Sequence, residues 1–231
     1  MDDARREAAA ADTSGHRARL RERLLGQGAD ALLDHEVIEY LLALSIPRRD
    51  TKPLARALLA EFGGIGALLS ADAESLRRAG LSDVAAAAIR IADVAARRKL
   101  SAEVAARPIL SGWQALLDYL HIDMAHRATE CVRVLHLNTR NMLIRDEIAS
   151  EGSIDQAAVH VREIVRRALE LNAAAIVLVH NHPSGDPSPS RADIALTREI
   201  AAALKPLGIA VHDHVVIGAS GHASFRALGL L

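Results

Sequence analysis

The sequence predicts an α/β protein, in which a mixed sheet flanked by helices is preceded by a small all-α domain. Residues 16–105 carry only patterns with a helical period, so we expect no strand there. From residue 106 onward, short apolar runs rich in β-branched residues alternate with helical patterns. Such alternation is typical of a sheet covered by helices, with ligands gathered at one end of its strands.

Composition and charge restrict the class of protein. The 231 residues, 50% of them hydrophobic, are enough for one or two domains with sizeable cores. With 28 Lys and Arg against 29 Asp and Glu, no overall positive charge draws the chain to nucleic acid or to an anionic membrane. The single cysteine cannot form an internal disulfide, and neither a signal peptide nor a long apolar stretch is recognisable. We therefore expect a soluble cytoplasmic protein that does not bind membranes.

The first part of the chain is predicted to be helical after a disordered start. Residues 1–15 are rich in alanine and charge without a clear period, and we expect them to be disordered. The helical domain follows over 16–105, where capping residues and glycine turns mark the helices. These helices are predicted at 16–26, from Asp34, from Thr51 to Phe62, at 65–69, at 72–78, and from Ser82 to about Lys99.

The second domain is predicted over 106–231, because the helical period fades near Pro108. Its predicted elements are helices at 112–122, 157–171 and from Ser190, and strands at 130–137, 142–148, 173–179 and 208–217. The tail is expected to pack through Phe225, Leu228 and Leu230.

The residues that carry chemistry come directly after the predicted strand 173–179. His180 and His182 are two residues apart on an extended chain, so their imidazoles point to the same side and can share one ion. Prolines and a glycine then break regular structure before a helix begins at Ser190, which places Asp193 in the first helical turn. A carboxylate there is favoured by the helix dipole and can face the strand end. Two imidazoles and one carboxylate predict a zinc site with an open position for water.

Residues of these types also occur in proteins for reasons that involve no catalytic metal. Ser190 and Asp193 satisfy the Ser-x-x-Asp capping signal, which needs no metal and is compatible with one. His212 and His214 form a second pair at the same spacing, either as another metal site or, with Asp213, as hydrogen-bond partners of a metal ligand or substrate. The letters His-Asn-His do not indicate an HNH nuclease, whose three residues are spread over a hairpin and a helix. A single cysteine excludes the ligand set of a zinc deaminase.

The string from His180 to Asp193 carries a family resemblance. His-x-His-Pro followed by Ser190 and Asp193 is similar to the JAMM, or MPN-plus, metalloprotease motif, and the longer string His-Asn-His-Pro-Ser-Gly-Asp-Pro resembles the RadC family. The resemblance extends over nearly the whole chain. It implies a JAMM/MPN domain, with layers similar to those of the cytidine deaminases, and an N-terminal domain similar to helix-hairpin-helix modules.

This resemblance also implies roles for individual residues. His180, His182 and Asp193 would bind Zn2+, and the Ser190 hydroxyl would help to stabilise charge on a substrate carbonyl oxygen. The family further requires a catalytic glutamate, and the matching position is Glu130. The residues alone leave three other glutamates open as rivals: Glu147, Glu151 and Glu163.

The implied function is zinc-dependent hydrolysis of an amide or isopeptide bond in a peptide or protein substrate, although iron or manganese is not distinguished from zinc by the ligand types. The alternative is an accessory or DNA-binding role in DNA repair, with a structural metal. Gly64 and Gly66 suit a helix-hairpin-helix turn at a DNA phosphate. Against DNA binding, Ser82 replaces the second glycine of the other turn, and Asp83 adds negative charge. The few aromatic residues offer no stacking platform for single strands.

Overall fold

A computed structural model describes residues 2–47, 49–106, 108–152 and 159–231, with side chains described from Gly15 onward except Ala29. The chain divides into two compact units, Met1–Ala95 and Ala96–Leu231. The division falls before the predicted limit at residue 105. One helix, α6 (Asp83–Ala105), runs through both positions, whereas the sequence predicts its end near Lys99.

The first unit is helical, as predicted. Before α6 it contains α1 (Asp2–Gln27), α2 (Asp34–Ser45), α3 (Lys52–Phe62), α4 (Ile65–Ser70) and α5 (Ala73–Arg78). Because α1 begins at Asp2, the backbone is helical over most of the stretch 1–15 that the sequence predicts to be disordered, consistent with the high helix propensity of alanine. Leu33, and not Asp34 as predicted, is the N-cap of α2. The helices share a core of buried aliphatic side chains, among them Ile38, Leu42, Leu58, Leu68, Leu76 and Ile89.

The second unit is built on one five-stranded mixed sheet. Its strands are β1 (Glu130–Leu137), β2 (Leu143–Gly152), β3 (Ala175–Asn181), β4 (Ala210–Gly218) and β5 (Gly221–Ser224). Their order is β2-β1-β3-β4-β5, and only β3 and β4 are parallel neighbours. A parallel pair requires a crossover, which is provided by helix α9 (Arg191–Leu204).

Helices cover both faces of this sheet. Helix α7 (Trp113–Met124) contributes Leu116 and Leu120 to a core that includes Leu135 and Val177 of the strands. Helix α8 (Val161–Glu170) and helix α9 pack on the opposite face of the sheet. They form a separate core there with strand residues whose side chains point to that face, Val134, Ile176 and Leu178. The predicted fold class, a mixed sheet flanked by helices after an all-α region, is therefore confirmed. Residues 157 and 158, where the sequence places the start of α8, lie outside the described residues.

The end of the chain departs from the prediction. Strand β5 pairs with β4 in a segment where no strand is predicted. Phe225 is fully buried, as expected, but Leu228 is 55% exposed and does not join a core. In the part of the chain that the structure describes, no helix has the length and apolar character needed to cross a bilayer.

Candidate metal centre

The end of β3 brings the two histidines to one edge of the sheet. His180 is the last but one residue of β3 and is almost fully buried. The backbone amide of His182 still donates to the carbonyl of Ile217 on β4, at 2.9 Å, so the chain stays extended beyond the strand. Both imidazoles therefore keep the same side-chain direction, as the spacing predicts.

The loop after His182 is held against the far end of β4. Gly185 has φ +86°, and its carbonyl accepts hydrogen bonds from the amide and hydroxyl of Ser220. A Cβ at Gly218 would come within 2.3 Å of the Gly185 carbonyl oxygen, so this close approach requires glycine at 218. The loop is thereby turned back, and the chain enters α9 beside the histidines.

The first turn of α9 presents the carboxylate. Ser190 is the N-cap residue, and its hydroxyl oxygen accepts from the amide of Asp193 at 3.1 Å. In return the Asp193 carboxylate accepts from the amide of Ser190 at 2.7 Å. The capping box predicted from Ser-x-x-Asp is thus present, and it orients Asp193 toward the histidines.

Three potential ligands converge at this point. The Nε2 atoms of His180 and His182 are 3.0 Å apart, and carboxylate oxygens of Asp193 lie 3.5 Å and 3.6 Å from them, respectively. In a tetrahedral zinc site with bonds of about 2.0–2.1 Å, ligand atoms are roughly 3.3 Å apart. The two Asp193 distances run to different oxygens, Oδ1 for His180 and Oδ2 for His182, and all three separations are within about 0.3 Å of that value, so the three side chains could hold a zinc ion. Among the described residues, these three form the group that could hold a metal ion.

Hydrogen bonding also prepares His182 for a cation. Its Nδ1 lies 2.8 Å from the carbonyl oxygen of Asp186. A carbonyl oxygen can only accept, so Nδ1 carries the hydrogen, and the Nε2 of the neutral ring keeps a lone pair directed at His180. The pKa of Asp193 is held well below its usual range: burial acts to raise it, but the hydrogen bonds from Ser190 act in the opposite direction. A lone pair and an anionic carboxylate thus face the centre.

Glu130 opens β1 at the same edge of the sheet. The antiparallel register pairs Val132 with His180, so continuing it by two residues puts Glu130 opposite His182. Glu130 and Val132 are two residues apart on β1, so their side chains point to the same face of the sheet. Because Val132 pairs with His180, this is also the face of the His180 side chain. The half-buried Glu130 side chain has no hydrogen bond or ion pair with any other described residue.

The three rival glutamates are engaged elsewhere. Glu147 on β2 forms an ion pair with Arg167 of α8, and Glu163 forms one with Arg166 within α8. Glu151, at the far edge strand, binds Arg127 at 2.8 Å. Of these four glutamates, Glu130 is the one that has no partner within the described part of the chain and lies in register with the histidines.

The second histidine pair separates in the structure. The β3–β4 register passes from Val211 directly to Asp213, so His212 is the extra residue of an irregularity and binds Asn141 instead, with 2.7 Å between Nε2 and Oδ1. Asp213 accepts from the amide of Arg226 and the hydroxyl of Ser224, and so holds the C-terminal turn.

His214 is the member of this group that reaches the candidate metal centre, because its ring contacts His180. Burial, with a smaller contribution from His180, lowers the pKa of His214 to about 3.

Two residues near the site, Asn181 and Thr197, were given no role there by the sequence analysis. The Asn181 side chain accepts from the amide of Cys131 at 2.9 Å and donates to the carbonyl of Thr129 at 3.1 Å, and so binds the backbone on both sides of Glu130. Thr197, on α9, is fully buried next to His214. A buried threonine four residues after Asp193 has a helical spacing, but nothing in the sequence indicates which strand faces it.

Comparison with known proteins identifies the family. Residues 110–230 match the family described as RadC-like JAB domain, and residues 13–87 match the one described as UPF0758 N-terminal. The chain belongs to the RadC family. A UPF0758 protein of Rhodobacter capsulatus is 51% identical over 213 residues, which are 92% of this chain and 100% of that protein. A UPF0758 protein of Ruegeria pomeroyi is 49% identical over 217 residues, 94% of this chain and 97% of the relative.

The RadC match spans the candidate metal centre from Glu130 to Asp193. The JAB domain relates RadC proteins to metalloproteases, while the names of the two relatives state no activity. The match to the UPF0758 N-terminal family ends at residue 87, within α6.

Proposed function

We propose that this RadC protein is a zinc-dependent hydrolase of the JAMM type, which cleaves an amide or isopeptide bond in a peptide or protein. The observation that carries the proposal is the convergence of three side chains: His180 Nε2 and His182 Nε2 are 3.0 Å apart, and each lies within 3.6 Å of one of the two Asp193 carboxylate oxygens. These residues would hold the ion. A non-ligand carboxylate, Glu130, at the same sheet edge supports hydrolysis over a purely structural metal, since a structural site needs no base.

When bound, zinc would act as a Lewis acid that lowers the pKa of bound water toward about 7 and polarises the substrate carbonyl. Glu130 accepts a proton from the attacking water while the oxygen of that water bonds to the amide carbon. The hydroxyl of Ser190 uses its oxygen to cap α9, and its hydrogen stays available to donate to the carbonyl oxygen as negative charge develops there. When the carbon–nitrogen bond breaks, Glu130 delivers the proton to the leaving amine. The products are a carboxylic acid and an amine, which ionise to a carboxylate and an ammonium group at neutral pH.

The first test is the metal content of the purified, untagged protein, measured by elemental analysis. We expect about one zinc per chain in the parent and little in His182→Ala. His212→Ala is the matched control, because His212 lies on β4 and binds Asn141 away from the centre. It should keep the parent's zinc. If the parent takes up no zinc even after incubation with it, the proposal fails; iron or manganese in its place would correct the identity of the metal.

The second test separates metal binding from catalysis. Glu130→Gln should retain the zinc of the parent but lose hydrolysis of a peptide library by about 10²–10⁴-fold, the usual contribution of a general base. Glu163→Gln is the control, because Glu163 is paired with Arg166 on α8. Equal cleavage by the parent and Glu130→Gln would contradict the assigned role of Glu130.

The DNA-associated alternative stays a prediction, as does a cytoplasmic location. Gly64 is the N-cap of α4 with φ 138°, which suits a glycine turn, whereas Asp83 at the start of α6 pairs with Arg77. A DNA affinity that falls steeply with salt would support the alternative.

A further inference from the structure

A chain of buried hydrogen bonds lies behind His180. Its Nδ1 is 2.8 Å from Nε2 of His214 on β4, and Nδ1 of His214 is 2.6 Å from the hydroxyl oxygen of Thr197 on α9. The Thr197 hydroxyl in turn reaches the backbone carbonyl oxygen of Asp193 at 2.5 Å. His180, His214 and Thr197 are each no more than 2% exposed, so water does not replace any of these partners.

The last acceptor decides the direction of every bond in the chain. A carbonyl oxygen can only accept, so the Thr197 hydroxyl donates to Asp193. The threonine oxygen is then free to accept from Nδ1–H of His214. A neutral imidazole carries one ring hydrogen, so Nε2 of His214 has a lone pair and accepts from Nδ1–H of His180. The remaining lone pair of His180 is at Nε2, the atom that faces His182 and Asp193.

We propose that Thr197 and His214 are positioning residues that set the tautomer of His180 and so prepare its Nε2 to bind the metal. The inference rests on the proposed function for the identity of the ligand, and it adds how the protein selects the binding form of that ligand. In the reverse arrangement, the hydroxyl would donate to His214, and His214 would donate to His180. A hydrogen would then occupy His180 Nε2, where the ion has to bind.

The surroundings hold this chain in place. Phe225 stacks on the His214 ring, with centroids 4.5 Å apart and planes 28° from parallel, and its amide donates to the His214 carbonyl. Asp193 supplies a carboxylate to the metal centre and a carbonyl to the chain, so one helical turn positions both ends. Partners of this kind orient metal-binding imidazoles and raise the affinity for the metal.

The direct test is the tautomer of His180 in the metal-free, full-length protein, read from long-range ¹H–¹⁵N correlations of ¹⁵N-histidine-labelled material. Its signals are assigned by their loss in His180→Gln. We expect Nδ1–H and a bare Nε2 in the parent. A hydrogen on Nε2 in the parent would overturn the proposal, whether or not any variant folds.

Two substitutions at Thr197 then test the cause. Thr197→Ser keeps the hydroxyl and should keep both the tautomer and the zinc affinity of the parent, measured by competition with a chelator. Thr197→Val has the same shape without the donor, and should mix the tautomers and weaken zinc binding by about 10–100-fold. An unchanged tautomer and affinity in folded Thr197→Val would refute the role of Thr197.

Rescue at the second position distinguishes this role from mere packing. In His214→Gln the amide can accept from His180 with its oxygen and donate to Thr197 with its nitrogen, so zinc binding should largely persist. His214→Leu fills the space without either bond and should lose it. Equal zinc affinity in these two variants would refute the role of His214. A parent that has the expected tautomer but binds no zinc would instead refute the proposed function and leave the hydrogen-bond chain intact.

Discussion

Asn181 lies between the two metal-site histidines in the chain, yet its side chain serves another strand. It is 1% exposed and satisfies the buried amide of Cys131 and the carbonyl of Thr129. The residue between those two is Glu130. A side chain on β3 therefore determines where the backbone of the candidate base lies, and it does so without touching the carboxylate.

Replacing Asn181 by Ala should destabilise the fold and displace Glu130. The buried amide of Cys131 would lose its acceptor, which costs about 1–3 kcal/mol in the free energy of unfolding, measured by urea denaturation. Hydrolysis should fall while zinc content stays that of the parent. Asn138→Ala is a matched control, since Asn138 also accepts from backbone amides but in the hairpin turn. Full activity in folded Asn181→Ala would show that this contact does not position Glu130.

His136 on β1 is a second residue whose burial has a measurable consequence. Its side chain is 1% exposed, its Nδ1 finds no hydrogen-bond partner among the residues that the structure describes, and its Nε2 is 3.8 Å from Glu147. Burial lowers the pKa of His136, and the carboxylate of Glu147 offsets only part of that shift. The folded protein therefore holds this imidazole neutral at a pH where the unfolded chain would protonate it.

The stability of the protein should therefore fall as the pH drops below about 6.5, the ordinary pKa of histidine. In that range the unfolded chain binds a proton at His136 that the folded protein does not, and one such proton changes the free energy of unfolding by at most about 1.4 kcal/mol per pH unit. His136→Gln should have a shallower pH dependence between pH 6.5 and 5, measured by urea denaturation. Parallel curves for the two proteins would contradict the assignment.

At the scale of an element, the start of α9 combines two tasks in one serine. The Ser190 oxygen accepts from the Asp193 amide and so begins the helix. The Ser190 side chain also lowers the pKa of the Asp193 carboxylate, and we assign its hydroxyl hydrogen to the substrate carbonyl during hydrolysis. Capping needs an acceptor oxygen and catalysis needs a donor, so different substitutions can remove one without the other.

Ser190→Ala removes both the capping oxygen and the donated hydrogen. We expect the free energy of unfolding to fall by about 1 kcal/mol and the rate of hydrolysis to fall roughly 10²–10³-fold. Ser190→Asp keeps a favourable cap and should retain stability, but it should lose hydrolysis because an ionised carboxylate has acceptor oxygens and no donor. Ser190→Thr keeps both groups and is the control. Denaturation and peptide cleavage measured on all three variants would separate the two roles. If Ser190→Asp were fully active, a donor at position 190 would have no part in catalysis.

At the scale of the whole molecule, the division between the two units falls inside a helix. The last part of α6 belongs with the sheet: Arg97 forms an ion pair with Asp123 of α7, and Val104 is buried in a core with Ile109 and Leu116. A limit at 105 would remove these contacts from the second unit. A limit at 95 retains them.

A fragment of residues 96–231 should therefore be more stable than one of residues 106–231. Burial of Val104 alone contributes about 1.5 kcal/mol or more, and the Arg97 ion pair adds to it. The urea midpoint of the longer fragment should be higher, and both fragments should bind zinc if they fold. Equal midpoints would place the limit of the second unit at 105, as the sequence predicts.

The sequence by itself predicted the order of the elements as far as β4 and the three side chains that converge as a candidate metal centre. The alternation of His180 and His182 on an extended chain and the capping signal of Ser190 and Asp193 are local features, so they are readable without knowledge of what packs nearby. Strand β1 was predicted with its observed limits, because its β-branched and apolar residues follow a strand pattern and a polar turn comes directly after Leu137.

Only the tertiary structure decided which distant groups meet. Asn181 reaches Thr129 and Cys131, and His214 reaches His180, across separations of 34 residues or more in the chain. Strand β5 exists because β4 provides a partner, although its own four residues have no strand pattern. The irregularity at His212 likewise turns that side chain away from His214. Pairing register and hydrogen-bond partners depend on the packing of separate elements, and local sequence patterns carry no record of that packing.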